Sequence, residues 1–473
     1  MIDPVLLLSV AELTGRFAAG TLSPVDVAAR HLVHARALEP RLNAFQIIDE
    51  AGAMAAAEAS ARRWKAGAAG PLDGVPMTVK DNVDMGGLPT RMGSTTTPDT
   101  PAGADAPVVA RLREAGAVFL GKTTLPEFGW KGITDSTLRG AATRNPWDIS
   151  RSPGGSSGGA AACVAAGIGT LAFGNDGGGS IRLPASLSGA FGIKPGFGRV
   201  PHHPMEGLFA TLLAGGPLSR CVADAVAALA VMAQPDDRDW HALPTPVDGW
   251  LDGVQPRLAG LRIALSMDLG GVAPDAQVQV GIDQAVATLR ANGADITEVG
   301  PVIAPLEPVF DGFWKAAFAH KLRQLPRERW DELDPGYRRV AEMGLHVSIG
   351  ALLDGQAARA PLYGDFVRLF RDHDLLLTPT TPHTAPPADI AYHSQGYDRW
   401  RDGVPYTLPF NLTGNPAASI PCDLSADGLP VGLQVVAPMF AERRILEACL
   451  AMEALFGFAA HHRAMLDRLP DTR

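Results

Sequence analysis

The sequence predicts an α/β protein folded as one domain. Three observations point there. Short apolar runs alternate with longer helical patterns along the whole chain, which indicates α/β layers. Hydrophobic residues make up 46% of the 473 positions and charged residues 19%, so the chain can bury a large core and is too apolar to be disordered. Glycine and proline, 52 and 39 residues, are spread throughout, so no cluster of them marks a linker.

The elements follow in order. Ser9 with Glu12, and Ser23-Pro24 with Asp26, have capping-box character and open two helices, the second running to about residue 37. An alanine-rich helix covers 50–65. Pro71-Leu72-Asp73-Gly74 is a turn, and 75–79 then reads as a buried strand ending at Lys80-Asp81-Asn82. Residues 108–115 are helical and 117–120 form a short strand. A tract rich in Gly, Ser, Thr, Asn and Pro, about 131–159, is irregular. Helix 160–166 and strand 170–173 lead into Gly174-Asn175-Asp176-Gly177-Gly178-Gly179-Ser180. Beyond it, helices at 223–233, 276–292 and 443–456 alternate with strands at 261–265, 375–377 and 431–437.

Charge and cysteine content exclude several classes. Lys plus Arg is 41 and Asp plus Glu 50, a net charge of −9, so no basic excess favours nucleic acid or an anionic membrane. Cys163, Cys221, Cys422 and Cys449 lie far apart without a C-x-x-C, which argues against a zinc site or a disulfide framework and fits a reducing compartment. The start, Met1-Ile2-Asp3-Pro4, has no basic region, and the apolar run 5–8 is too short for a signal peptide. No run reaches the ~18 apolar residues of a membrane span. The expectation is a cytoplasmic protein with no nucleic-acid or membrane partner, a monomer or homodimer.

Two motifs invite readings that their context rejects. Gly116-x4-Gly121-Lys122-Thr123 matches the phosphate-binding P-loop, which needs a strand before the loop and a helix after it. Here 117–120 reads as a strand, a helix precedes it, and Pro126 interrupts any helix that follows. Gly154-Gly155-Ser156-Ser157-Gly158-Gly159 matches G-x-S-x-G twice, but its approach through Asn145-Pro146-Trp147-Asp148 and Ser152-Pro153 is not the strand that a nucleophile elbow requires. The twelve histidines include no H-E-x-x-H, and no metal site is expected. In Gly177-Gly178-Gly179-Ser180 a hydroxyl ends a triple-glycine turn, and such a turn can aim successive N–H groups into one concavity to stabilise an oxyanion.

Taken together, these segments resemble the amidase signature family. The resemblance rests on Gly154-Gly155-Ser156-Ser157-Gly158-Gly159, on Asp176-Gly177-Gly178-Gly179-Ser180-Ile181-Arg182, on Gly192-Ile193-Lys194-Pro195, and on the 24-residue step from Ser156 to Ser180. Flanking segments are similar too: Asp73-Gly74-Val75-Pro76 through Lys80-Asp81-Asn82, Gly121-Lys122-Thr123 with Glu127-Phe128, Asn145-Pro146-Trp147, and Gly428-Leu429-Pro430-Val431-Gly432-Leu433-Gln434. It covers nearly the whole chain, with a signature core at about 73–200 and a variable, substrate-facing region at about 236–400.

The resemblance implies a mixed central sheet with helices on both faces. It implies a Ser-Ser-Lys triad: Ser180 as nucleophile, Ser156 as the bridging serine after a cis peptide bond, and Lys80 as general base. Gly177, Gly178 and Gly179 match the family's oxyanion hole, together with the N–H of Ser180; Asp176, Arg182 and Ser157 match residues that support it. Asn175 and Gly177 depart from the family's common G-T-D-T-G-G-S. Only backbone is required at Gly177, whereas Asn175 bears on hydrogen bonding around the site.

A lysine acts as a base only when neutral, and burial is what lowers its pKa from about 10.4. Val75, Met77 and Val79 beside Lys80 supply an apolar setting. The implied activity is hydrolysis of a small-molecule amide, with aryl amides, esters or carbamates also open, and no cofactor or metal is called for. The alternative is the glutaminase component, the A subunit, of a tRNA-dependent amidotransferase. That component usually carries an E-V-K-R-R-I-like stretch whose arginine holds the glutamine carboxylate; the corresponding Gly344-Leu345-His346-Val347-Ser348-Ile349 has no arginine. A catalytically dead scaffold is a third reading, against which the complete triad argues. Candidate pocket walls are Trp130, Thr134, Asp135 and Trp314, with Phe313, His320 and the tract 359–397; a core role for Phe313 and Trp314 stays open.

Overall fold

The computed structural model of the chain describes residues 2–204, 211–244, 249–303, 306, 309–389 and 404–469. Eleven strands form one mixed sheet. In chain order they are β1 (Phe45–Ile48), β2 (Pro76–Lys80), β3 (Val118–Thr123), β4 (Leu171–Asp176), β5 (Phe191–Lys194), β6 (Ala214–Ser219), β7 (Arg262–Leu265), β8 (Asp295–Glu298), β9 (Leu375–Pro379), β10 (Ala417–Leu424) and β11 (Pro430–Val436). Their spatial order is β1-β3-β2-β4-β6-β5-β10-β11-β9-β7-β8. β3, β2 and β4 are parallel, as are β9, β7 and β8, while the remaining pairs are antiparallel.

Alternation along the strands explains why both faces are covered. Successive strand residues point to opposite sides. Ile263, Leu265, Leu375, Leu377 and Val435 join one apolar cluster, and their neighbours Ala264, Leu376 and Val436 join another. Helices Pro107–Glu114, Val222–Met232, Ala276–Ala291 and Glu442–Phe456 contribute to the first cluster. Pro24–Leu42 and Gly158–Ala165, with Arg182–Ser188 and Val309–Leu322, contribute to clusters that hold the other strand residues. The sheet is therefore buried on both faces within a single domain, as expected. The edge strand β8 is short and exposes Asp295, Thr297 and Glu298, charges and polarity that discourage pairing with another chain. Among the described residues, no helix is long and apolar enough to cross a membrane.

The P-loop-like segment is a strand. Lys122 lies within β3 and ion-pairs with Asp81 at 2.7 Å, both side chains without exposed surface. Its glycines have packing reasons. A side chain at Gly121 would place Cβ 2.0 Å from the Ile47 carbonyl oxygen of β1, and one at Gly116 would strike Asp73. These are close backbone approaches that only glycine permits.

Several elements are absent from the sequence reading. β6 begins Ala214-Gly215-Gly216-Pro217, which reads as a turn, yet it is paired on both sides. β10 carries Pro421 beside a shift in register, where a bulge accommodates it. Helix Ile349–Asp372 contains Pro361 and three glycines, which disguise its period. Helix Pro24–Leu42 runs past residue 37 and is stopped by Asn43 in the left-handed conformation.

The helix Gly158–Ala165 starts beside the site and is anchored at its far end by one guanidinium and two buried imidazoles. His34 Nε2 donates to Ala166 O at 2.8 Å and His462 Nε2 to Ala165 O at 2.7 Å. Arg220 donates to Val164 O and Gly169 O at 3.3 and 2.8 Å. Burial holds His462 down to about 4, although its carbonyl partner opposes this, and pushes His31 and His34 the same way. A depressed histidine is neutral in the fold and charges in the unfolded chain near pH 6.5. Its stabilising contribution is full above about 6.5 and is lost as pH falls towards 4. His462→Gln should therefore flatten the stability-versus-pH curve between pH 7.5 and 5, by roughly 2 kcal/mol at the acid end. Denaturant unfolding at both pH values measures this, and parallel curves for the two proteins would refute it.

Lys122→Met leaves Asp81 buried without its counter-charge. It should cost about 3 kcal/mol or more in the same unfolding assay. ATP should not raise the Tm of the unaltered protein.

Candidate active site

Three segments meet where β2 and β4 end. β2 pairs with β4 as far as Val79 with Phe173, so the last residue of β2, Lys80, comes beside Asn175. Lys80 is 1% exposed. Its Nζ donates to Ser156 Oγ at 2.7 Å and to Asn175 Oδ1 at 2.8 Å. Burial lowers the Lys80 pKa to about 7, against a smaller upward pull from the charge on Asp176.

Ser156 follows a cis peptide bond from Gly155. Gly155 presses on the backbone of Ile133, where a Cβ would sit 2.9 Å from its atoms, so a side chain there has no room. Thr134 Oγ1 donates to Gly154 O at 2.8 Å and braces the segment from outside. Ser157 N–H donates to Ser180 O at 3.1 Å, and Ser157 Oγ donates to Asn175 O at 3.2 Å. Those two bonds tie the serine segment to the glycine turn.

The turn itself is organised by Asp176, the last residue of β4. Its carboxylate accepts from Gly179 N–H at 2.7 Å and Ile181 N–H at 3.2 Å. Arg182 grips it with Nε and Nη2, each at 2.9 Å, and neither side chain has exposed surface. Burial opposes a charge on Asp176, but Arg182, the nearby Lys194 and the Asn411 amide outweigh it and hold the carboxyl well below the usual range. The rest of the guanidinium is satisfied by Thr407 O, Gln434 Oε1 and Asn411 Oδ1 at 3.0, 2.8 and 2.7 Å.

Asp176 also corrects one expectation. The Gly179 N–H is spent on its carboxylate, so Gly179 does not offer a donor to an oxyanion. The N–H groups of Gly177, Gly178 and Ser180 have no hydrogen-bond acceptor among the described residues. Gly179 is needed for conformation instead: its φ is 130°, and a Cβ would lie 2.4 Å from Thr407 Oγ1.

Ser156, Asn175, Gly177 and Ser180 open onto a cavity of about 610 Å³. Ser180 is partly exposed, and its hydroxyl has no partner among the described residues. Of the four expected wall residues, Trp314 lines this cavity and Trp130, Thr134 and Asp135 do not. Trp130 lies behind the wall, its ring against Gly336 and its carbonyl accepting from Trp314 Nε1 at 3.2 Å. Thr134 is turned to Gly154, and Asp135 is drawn off by Lys131 at 2.7 Å. Phe313 is core, with Arg359 over its ring, while His320 reaches the cavity. Positions 390–397 of the expected wall tract lie outside the described residues. Met92, Phe128 and Leu345 complete an apolar side that the sequence reading missed, because nothing local distinguishes them from core residues. Among the described residues, no three His, Cys, Asp or Glu are grouped to hold a metal ion.

Comparison with known proteins places the chain in a family. The Amidase family matches residues 26–446. An acylamidase of Rhodococcus erythropolis is 35% identical over 463 residues, covering 95% of each chain. The A subunit of the glutamyl-tRNA(Gln) amidotransferase of Salinispora tropica is also 35% identical, over 481 residues, covering 95% of this chain and 97% of its own. Among solved structures, a bacterial aryl acylamidase of the amidase signature family superposes with a TM-score of 0.90 at 27% identity, covering 99% of this chain and 100% of that one. The 6-aminohexanoate cyclic dimer hydrolase, solved with its substrate, gives 0.89 at 27% identity, covering 98% and 100%. The family match, the fold and these relatives lead to one conclusion: this chain belongs to the Amidase family, hydrolases that act on carbon–nitrogen bonds.

Proposed function

We propose that the enzyme is a stand-alone amidohydrolase that cleaves a small-molecule amide through an acyl-enzyme on Ser180. One observation carries the reading: Lys80 is buried, held near neutrality in pKa, and 2.7 Å from Ser156 Oγ. Such a lysine is half deprotonated near pH 7 and can act as a base. Neutral Lys80 takes the Ser156 proton as Ser156 takes that of Ser180. The Ser180 oxygen attacks the amide carbon, and the N–H groups of Gly177, Gly178 and Ser180 receive the oxyanion. The relay then returns the proton to the leaving nitrogen, and the C–N bond breaks. Water, deprotonated by the same relay, attacks the ester and releases the acid and Ser180.

The cavity wall supports an apolar or aryl acyl group. Met92, Phe128, Trp314 and Leu345 offer hydrocarbon surface close to the polar groups that would perform the chemistry. The 35% identity to the glutaminase component of an amidotransferase supports a second reading, a glutaminase that passes ammonia to a partner. Gly344, Leu345, Val347 and Ile349 line the cavity where such a glutaminase is expected to carry a carboxylate-binding arginine, which favours the first reading, while Lys321 and Arg323, cations on another part of the same lining, favour the second. A glutaminase assay with a pull-down for partner proteins separates them: turnover of glutamine above that of neutral amides, with a bound partner, would establish the second.

Two measurements test the chemistry. Ser180→Ala should abolish turnover, whereas Ser157→Ala should retain part of it, and mass spectrometry after a serine-directed acylating probe should locate the adduct on Ser180. An adduct on Ser156 or Ser157 would refute the assignment. Activity should rise with pH as Lys80 loses its proton, so kcat/KM should follow one ionisation near 7. Lys80→Arg cannot deprotonate and should lower kcat/KM by about 10²–10⁴ with the fold intact by circular dichroism. Near-normal turnover by that variant would place the base elsewhere.

A further inference from the structure

Resting on that reading of Lys80, we propose that Asn175 is the positioning residue that aims the Lys80 lone pair at Ser156. A neutral amine has two N–H bonds and one lone pair. It abstracts a proton only when the lone pair faces the donor. Lys80 Nζ has two polar neighbours, Ser156 Oγ at 2.7 Å and Asn175 Oδ1 at 2.8 Å. A hydroxyl can donate or accept, but an amide oxygen can only accept. One N–H is therefore committed to Asn175, rotation about the Cε–Nζ bond is arrested, and the lone pair is free to receive the Ser156 proton.

A second observation is independent of that contact. Asn175 is 2% exposed, and its Nδ2 is buried with no hydrogen-bond partner. An unpaired buried donor destabilises a fold. Valine would carry no donor there, and threonine only a hydroxyl, which can rotate to suit its surroundings while accepting from Lys80. The side chain is thus poorly matched to its surroundings in every respect but its carbonyl, the pattern of a residue kept for activity at the expense of stability. Neutrality matters as well. The charged and titratable groups around this point are Asp176 on the same strand with Arg182 bound to it, Lys194 on β5, Asp81 with Lys122 on β3, and His31 and His34 on the helix packed against β2. Helix Gly158–Ala165 contributes only the Cys163 thiol, whose pKa burial pushes well up, and helix Val222–Met232, packed against β4, carries Asp224. Of these, Asp176 is the one whose charge favours the Lys80 ammonium. A carboxylate in place of the Asn175 amide would add a second.

The test follows the rate at which a fluorophosphonate probe labels Ser180 between pH 5.5 and 9.5, in the full-length protein. Asn175→Asp should move the midpoint of the pH profile upward by about one unit or more, with most of the rate recovered at alkaline pH. Asn175→Thr and Asn175→Val have the same shape, but only threonine keeps an acceptor. The threonine variant should label about tenfold faster than the valine variant on the alkaline plateau. Neither should have a lower Tm than the unaltered protein. An unshifted midpoint in Asn175→Asp, or equal plateaus for threonine and valine, would overturn the inference. Labelling of the unaltered enzyme that is absent, or independent of pH, would instead overturn Lys80 as the base.

Discussion

The turn that carries Ser180 hangs on the ion pair between Asp176 and Arg182. Two buried charges are costly to remove from water, and such a pair is tolerated only when every remaining donor and acceptor is satisfied. Here the guanidinium reaches Thr407, Asn411 and Gln434, and the carboxylate collects the N–H groups of Gly179 and Ile181. Gln434 in turn donates to Thr378 Oγ1 and Tyr406 O. The network joins the glycine turn to β9, β11 and the segment before helix Pro409–Leu412, which are distant in sequence. Its geometry is over-determined, so the N–H groups left free on the turn are fixed in direction before any ligand arrives.

The same pair sets the electrostatics of Lys80. Burial depresses the lysine, and a bare carboxylate on β4 would restore its charge. Arg182 pairs with that carboxylate, whose oxygen atoms still accept from the backbone N–H groups of Gly179 and Ile181. A structural ion pair and a buried lysine of depressed pKa thus share one small volume. Lys194 is also lowered to about 7, by burial and by the charge on Arg182, and it donates to the Pro195 and Asn415 carbonyl oxygens. What distinguishes Lys80 is a hydroxyl and an amide at hydrogen-bond distance, beside the cavity.

How much of this the sequence disclosed depended on the range of the interaction. Helix Glu50–Lys65 and the strand ending at Lys80 follow from periodicity within a few residues. The glycine-serine segments are dense enough in unusual residues to identify the family. β6 and β10 carry glycine and proline at positions that only their neighbours on both sides make tolerable, and no local pattern records those neighbours. Gly179 is a different case, because its partner is local. Its N–H looks available in the sequence and is consumed by a side chain three positions back. Trp130, Thr134 and Asp135 do not line the cavity: Trp130 packs on Gly336 and Thr134 bonds Gly154, both far along the chain, whereas Asp135 is held by Lys131 four residues before it.

The cavity draws its two sides from different parts of the chain. Ser156, Asn175, Gly177 and Ser180 come from the sheet and its turns, whereas Trp314, His320 and Leu345 come from helices and a connection inserted between β8 and β9. The reactive groups are braced by strands paired on both sides, and the facing wall belongs to an excursion that returns to the sheet at β9. Selectivity and reactivity are thus inherited separately. Sequence drift in the excursion can reshape the cavity without disturbing the side chains that the sheet holds in place.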